Sequence, residues 1–131
     1  CMTNFSFLTG EWEPFAENAH KTERFALSDP TTSAIYARRS LEQWLRWLYA
    51  HETGLKLPEK DAPSLGDLLF EPTFKALSGP LWPGLNLIRK VGNVAAHDGA
   101  VTTEQATAGV KTLFALSLFV ARTYGENPPE H

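Results

Sequence analysis

Residues Leu85–Gly99 read LNLIRKVGNVAAHDG and combine apolar helical spacing with a line of polar side chains. The apolar positions recur every three or four residues, so one face of a helix can be buried. They are Leu87, Ile88, Val91, Val94 and Ala95. On another face Arg89, Asn93 and His97 stand at i, i+4 and i+8. Lys90 lies beside this line. Packing of the helix does not require these four polar residues, so all of them are candidates for function.

The helix is predicted to end at Asp98-Gly99, where Gly99 can take the left-handed backbone conformation. His97, next to this end, has two interpretations. As a structural cap, its imidazole bonds a carbonyl group and is favoured by the helix dipole. As a catalytic residue it is a general base. Two turns, roughly 10–12 Å, separate it from Arg89 or Lys90, so these side chains share a face without needing to touch.

The composition is typical of one soluble globular domain, with 131 residues of which 43% are hydrophobic and 21% charged. No apolar run is long enough to span a bilayer and no signal peptide is recognisable, so we expect a cytoplasmic protein without membrane contact. Cys1, the single cysteine, stands ahead of Met2 and is expected to come from outside the natural gene. A net charge of -3 argues against bulk electrostatic coating of nucleic acid but permits a local basic patch.

Two amphipathic helices are predicted in the first half of the chain. The first covers Glu11–Leu27. The second starts at Asp29-Pro30, since aspartate accepts free amide hydrogens and proline fits the first helical position, and it runs to about Glu52. Its predicted buried stripe consists of Ala34, Ala37, Leu41, Trp44, Leu45 and Leu48.

Other residues of the second helix lie off this stripe. Arg38, Glu42 and Arg46 follow at intervals of four, which predicts a ladder of ion pairs on the surface. Trp47 also lies off the stripe and is interpreted as a contact residue.

A connector follows between residues 55 and 83, where five prolines permit only short helical pieces. The pieces are predicted at Ser64–Phe70 and Thr73–Leu77. Their apolar side chains are too numerous to leave in water, so the connector is expected to pack over the helices. These side chains are Leu65, Leu68, Leu69, Phe70, Phe74, Leu77 and Trp82.

The last helix is predicted to begin at Thr102 or Thr103, where Thr102 forms a capping-box pattern with Gln105, and to continue to about Tyr124. Between Leu113 and Ala121 it is apolar nearly all round. This pattern predicts burial on several sides and favours a homodimer.

The sequence therefore predicts an all-α fold, a bundle of four main helices with short extra helical pieces. Residues 1–10 are assigned to an N-terminal segment, residues 11–124 to the bundle, and residues 125–131 to a tail or the start of a linker. Pro128-Pro129 in that tail opposes helix formation.

Known catalytic motifs are missing from the sequence, which has no Gly-rich phosphate loop, Gly-x-Ser-x-Gly elbow or His-Glu-x-x-His helix. The four histidines have no His or Cys partner at i+3 or i+4. We therefore predict no metal and no other cofactor for this domain.

Two segments together carry a likeness to a known family. The first combines Asp29-Pro30 with YARRSLE at Tyr36–Glu42 and WLY at Trp47–Tyr49. The second is LIRKVGNVAAH at Leu87–His97, in which Gly-Asn-x-x-x-His is the most specific part. Together they resemble the N-terminal domain that precedes the nuclease and helicase parts of type I restriction enzyme R subunits. That domain is similar to the HEPN superfamily of helical bundles, and the resemblance covers about residues 4–124.

The resemblance implies membership of a larger bacterial defence enzyme, an ATP-dependent DNA translocase and type I site-specific deoxyribonuclease. ATP and Mg²⁺ are implied only for the parts of that enzyme outside these residues. DNA or RNA and other subunits of the restriction complex are the implied partners.

Many HEPN proteins are metal-independent ribonucleases that act as dimers and use an Arg and a His separated by four to six residues. Here seven residues separate Arg89 from His97, and Gly92 stands where the arginine would be expected. Six residues separate Lys90 from His97, but lysine lacks the planar fork of arginine.

This departure predicts a non-catalytic module that binds nucleic acid or a protein partner. The predicted contact residues are Arg38, Arg39, Arg89, Lys90, Asn93 and His97. The alternative is a degenerate HEPN ribonuclease, in which His97 deprotonates a ribose hydroxyl and Lys90 or Arg89 stabilises the charged phosphorane.

Overall fold

The chain folds into helices joined by short turns, and the computed structural model describes residues 3–126. Within this range there are six α-helices, two 3₁₀ segments and no strand, so the all-α prediction is confirmed. The α-helices are α1 (Ala16–Phe25), α2 (Pro30–His51), α3 (Leu65–Phe70), α4 (Pro72–Ser78), α5 (Trp82–Ala96) and α6 (Thr103–Tyr124). The 3₁₀ segments are Gly10–Phe15 and Gly79–Leu81. Pro128-Pro129 lies outside the described residues.

Side-chain caps set the starts of α2, α3 and α6. Asp29 accepts the backbone N–H of Thr32 at 3.2 Å, and Pro30 takes the first position of α2. Ser64 and Thr102 form reciprocal capping boxes at the starts of α3 and α6. The starts that the sequence predicted for these helices are therefore confirmed.

Helix α2 is the centre of the molecule and contacts α1, α5 and α6. The predicted buried stripe is confirmed, since all of its members are less than 5% exposed. At its aromatic end, the ring of Trp44 stacks on Phe15 with centroids 4.0 Å apart. Within residues 3–126, no helix combines the length and the hydropathy that crossing a bilayer requires.

The single helix predicted over Glu11–Leu27 is wrong at both ends. Residues Gly10–Phe15 form a 3₁₀ segment, because Pro14 has no N–H group and would clash with the carbonyl group four residues earlier in a continuous α-helix. Helix α1 then ends at Phe25 and leaves Leu27 76% exposed.

The segment before residue 11, which the sequence set apart from the bundle, supplies side chains to the core. Phe5 is fully buried and Leu8 is 2% exposed. The ring of Phe5 meets that of Phe114 in α6 edge to face, with centroids 6.0 Å apart. The packed unit therefore begins before residue 11.

The apolar part of α6 is covered on several sides, as its composition predicted. Every residue in Leu113–Ala121 is buried or half-buried. Part of the cover is Phe5 of the same chain, so the all-round apolarity of α6 does not require a second subunit. The homodimer stays a prediction.

Two predicted burials are wrong at α5, where Leu87 and Val94 are 44% and 46% exposed. The helix is rotated so that Gly92 faces α2, which turns these two residues, seven apart and on one face, toward solvent. Helix α5 contacts α6, where Ile88 faces Gly109.

The connector packs over the helices through most of its predicted residues, and Leu65, Leu68, Leu69 and Phe74 are buried. Phe70 is the exception, being 47% exposed. The buried positions of α3 are already taken by its leucines, so the ring of Phe70 turns outward.

Candidate functional site

The side chain of Arg38 crosses from α2 onto α5 at Gly92. A Cβ atom at Gly92 would lie 2.7 Å from the Cβ of Arg38 and 2.8 Å from its Cδ, so only glycine permits this approach. Beyond this crossing, Nε of Arg38 donates to Oδ1 of Asn93 at 3.0 Å. The Gly92-Asn93 pair therefore holds Arg38 in place.

Arg89 is held by a second asparagine. Its Nε donates to Oδ1 of Asn86 at 3.0 Å, and Asn86 is only 8% exposed. The guanidinium carbon lies 5.7 Å from the centre of the Phe70 ring. Because Asn86 precedes Arg89 by one turn, this bond directs Arg89 away from His97. Within residues 3–126 the terminal nitrogens of Arg89 have no hydrogen-bond partner.

The predicted ion-pair ladder is present on α2. Glu42 lies 2.9 Å from Nη2 of Arg46 and 3.9 Å from Nη1 of Arg38. Arg46 also donates to the carbonyl oxygen of Pro63 at 3.1 Å and so fixes the connector to α2. Pairs as exposed as these contribute little to stability, and the long contact leaves Arg38 free to meet another anion.

The other two predicted basic residues lie on the surface. Arg39 is exposed, with its guanidinium carbon 5.1 Å from the centre of the Tyr36 ring. Lys90 is exposed and has neither an ion pair nor a hydrogen bond within the described part of the chain. Its ammonium group is therefore available to a ligand.

His97 follows the last residue of α5 as its C-cap, and its side chain is exposed. Among residues 3–126 its imidazole has no hydrogen-bond partner, so the interpretation as a carbonyl-bonded cap is wrong. Backbone bonds close the helix instead. The N–H of Asp98 donates to the carbonyl oxygen of Ala95 at 3.2 Å, and that of Gly99 to the carbonyl oxygen of Val94 at 2.8 Å.

The prediction that Gly99 adopts the left-handed conformation is also wrong, since Asp98 does so with φ of 62°. Aspartate tolerates this conformation better than most side chains do. Glycine is still needed at position 99, because a Cβ there would lie 2.9 Å from the carbonyl oxygen of Val94.

The polar line of the sequence is thus divided among three places. Asn93 binds Arg38, Arg89 binds Asn86, and His97 stands at the end of the helix. Sequence reasoning missed Asn86, because an asparagine between two leucines carries no distinctive spacing.

Trp47 is half-buried and packs against other rings of the chain. Its ring centre lies 4.1 Å from that of His51, 5.1 Å from that of Trp12 and 5.6 Å from that of Tyr124. These ring contacts account for the position of Trp47 off the buried stripe, and its interpretation as a contact residue stays a prediction.

An open cleft of about 460 Å³ lies beside Arg89, between the connector, α3 and α5. Asp67 stands on its rim, where the backbone N–H of Ser64 and the ammonium group of Lys60 lower the pKa of Asp67 to about 2. The rim is therefore charged at neutral pH. The part of the chain that the structure describes has no group of three or more His, Cys, Asp or Glu side chains placed to hold a metal ion.

No family model, curated protein or solved structure matches this chain. The functional interpretation accordingly depends on the residues themselves and on their contacts.

Proposed function

We propose that this chain is a non-catalytic, HEPN-like helical domain of a type I restriction enzyme R subunit and that it binds nucleic acid. The binding site is the basic surface of α2 and α5. Its residues are Arg38, Arg39, Arg89, Lys90, Asn93 and His97. The observation that carries the proposal is that two arginines of this surface are each held at Nε by an asparagine of α5.

An arginine held in this way is well suited to bind phosphate. The asparagine occupies Nε, so both terminal nitrogens of Arg89 are left to form two parallel bonds to a phosphate group, whereas Nη1 of Arg38 also faces Glu42 at 3.9 Å. Because the side chain is already ordered, less conformational entropy is lost when the anion binds. Lys90, the residue after Arg89, adds an exposed point charge, and a local site of this kind is compatible with a net charge of -3.

The contacts also support treating the two family-like segments as one unit. Arg38 belongs to YARRSLE and Gly92-Asn93 to LIRKVGNVAAH. These residues, 54 and 55 positions apart in the sequence, meet directly. The residues that carry the resemblance to R subunits therefore build the site to which we assign binding.

Docking of another restriction-complex subunit is the second candidate function, and one observation favours it. Leu87 and Val94 are exposed on one face of α5, where Leu87 borders an apolar groove between α5 and α6. Exposed apolar residues beside a groove are typical of protein contacts. Lys90 lies one turn from each of these two residues on the same face, whereas Arg89 and Asn93 lie on another face of α5.

The ribonuclease alternative has less support from the geometry. Arg89 is bonded toward the start of α5, whereas His97 lies two turns away at the other end. We expect RNA to remain intact in EDTA with the wild type and with His97→Ala. Cleavage by the wild type alone would favour the ribonuclease.

The proposed function is tested by reversing two charges of the basic surface. The variant Arg89→Glu/Lys90→Glu is compared with Lys111→Glu/Arg122→Glu, in which two exposed cations of α6 undergo the same change of charge. Binding to labelled DNA and RNA is measured by fluorescence anisotropy at low salt. We expect the first variant to bind at least roughly tenfold more weakly than the wild type, since each lost phosphate contact removes counterion release.

The α6 control is expected to bind within about threefold of the wild type, since the electrostatic contribution of remote charges is screened. Circular dichroism verifies that both variants remain helical. If reversal on α5 leaves binding unchanged, or if the wild type binds neither nucleic acid, the nucleic-acid proposal is wrong. Subunit docking through Leu87 and Val94 then becomes the leading function.

A further inference from the structure

Phe70, at the end of α3, is the only Phe, Tyr or Trp side chain among residues 3–126 that is exposed. It lies beside a second ring and two cations. The Trp82 ring meets it edge to face, with centroids 5.0 Å apart. Nζ of Lys75 lies 4.9 Å from the Phe70 ring centre, and the guanidinium carbon of Arg89 lies 5.7 Å from it.

The ring is presented from a fixed backbone. Leu68 and Leu69, directly before it, are buried, and the indole N–H of Trp82 donates to the carbonyl oxygen of Leu69 at 2.6 Å. Phe70 therefore cannot turn inward without displacing core side chains. An exposed ring with two cations over it favours a flat, negatively charged ligand, which stacks on the ring when the cations turn from the ring to its phosphates.

The open cleft of about 460 Å³ lies directly against Phe70 and Arg89 and gives a planar group access to the ring. Two carboxylates also line it, and both are hydrogen-bonded within the chain. Asp67 accepts from Ser64 and Lys60, and Glu71 accepts from the backbone N–H of Thr73 at 2.9 Å. Their negative charge opposes phosphate inside the cleft, so phosphates belong at Arg89, which lines the cleft, and at Lys75, which lies over the Phe70 ring outside that lining.

We infer that the basic surface takes single-stranded nucleic acid, with an unpaired base stacked on Phe70 and the neighbouring phosphates bound by Arg89 and Lys75. This inference rests on the proposed function and specifies its substrate class. A duplex keeps its base faces inside the stack, where the Phe70 ring cannot reach them. Because every base offers a π-face, the stacking is expected to tolerate any sequence.

The test uses the full chain with two single-stranded probes of equal charge, oligothymidine of twelve nucleotides and an abasic oligonucleotide of the same length. Phe70→Leu keeps an apolar side chain but removes the ring, whereas Phe70→Tyr keeps the ring. Leu57→Ala, at a residue 62% exposed, is the matched control for loss of surface apolarity. Since Phe70 and Leu57 lie outside the core, all three variants are expected to keep the thermal midpoint of the wild type.

The wild type is expected to bind oligothymidine roughly 5- to 100-fold more tightly than the abasic probe. Phe70→Leu should bind both probes equally weakly, while Phe70→Tyr and Leu57→Ala should retain the preference. Equal affinity of the wild type for both probes, or tighter binding of duplex DNA, would overturn the inference. An equal loss of affinity for oligothymidine in Phe70→Leu and Phe70→Tyr would also overturn it.

The two proposals fail in different ways. If Phe70→Leu binds oligothymidine like the wild type but Arg89→Glu/Lys90→Glu still weakens binding, base stacking is wrong and the basic surface stands. If no nucleic acid binds to the wild type, both are wrong.

Discussion

Replacement of Leu116 by alanine is expected to lower the free energy of unfolding by about 2–4 kcal/mol. Leu116 is 1% exposed on α6 and lines a small, partly open pocket together with Leu48 and Phe74. The lost methyl groups would enlarge this space, and the cost of a cavity adds to the cost of lost burial. Val91→Ala is expected to cost less, because Val91 borders the groove between α5 and α6 and loses fewer buried contacts.

Urea denaturation monitored by circular dichroism measures this effect. Leu57→Ala is the control and should stay within about 0.5 kcal/mol of the wild type, as substitutions at exposed positions usually do. A loss below about 1 kcal/mol at Leu116 would mean that α6 does not occupy the core in solution.

Gly92→Ala is expected to destabilise the protein by about 1–3 kcal/mol, although alanine is the better helix former by about 1 kcal/mol. The new methyl group would lie 2.7 Å from the Cβ of Arg38, and this Cβ is fixed to the backbone of α2. The two helices must therefore separate, which also displaces the guanidinium group from Asn93. We expect nucleic-acid binding to weaken together with stability.

Gly109→Ala on α6 is the matched control. Its new methyl group would lie 3.8 Å from the nearest atom, Cγ1 of Ile88, which is an ordinary contact. The gain in helix propensity should make this variant as stable as the wild type, or up to about 1 kcal/mol more stable. If Gly92→Ala is as stable as Gly109→Ala, the close crossing at Arg38 is not present in solution.

The long helices were predictable because each has apolar residues at helical spacing over many turns and a capping residue at its start. Asp29-Pro30 and the buried stripe define α2, and Thr102 with Gln105 defines the start of α6. These signals are local in sequence, so one chain suffices to recognise them.

The rotation of α5 was not predictable in the same way. Its apolar residues cover more than half of the helix surface, and the position of α2 at Gly92 selects which of them are buried. The exposure of Leu87 and Val94 therefore depends on a contact with α2, which lies some fifty residues away in the sequence. The outward position of Phe70 has the same origin, because the buried leucines of α3 leave it no place in the core.

The sequence identified the basic residues of the candidate site but not their partners. Arg38, Arg89 and Asn93 were all predicted as contact residues, whereas the bonds that order the two arginines join α2 to α5 or use the buried Asn86. Such bonds depend on how helices cross, which spacing along one helix does not specify.

The salt dependence of binding measures the phosphate contacts of the basic surface most directly. For a single strand, each phosphate contact contributes about 0.7 to the slope of log Kobs against log salt concentration. The wild type is compared with Lys90→Gln and with Lys111→Gln, a control at an exposed lysine of α6. If the basic surface binds phosphate, the magnitude of the slope for Lys90→Gln is about 0.7 smaller than that for the wild type, and the slope for Lys111→Gln is unchanged. The same slope for all three proteins would contradict this account.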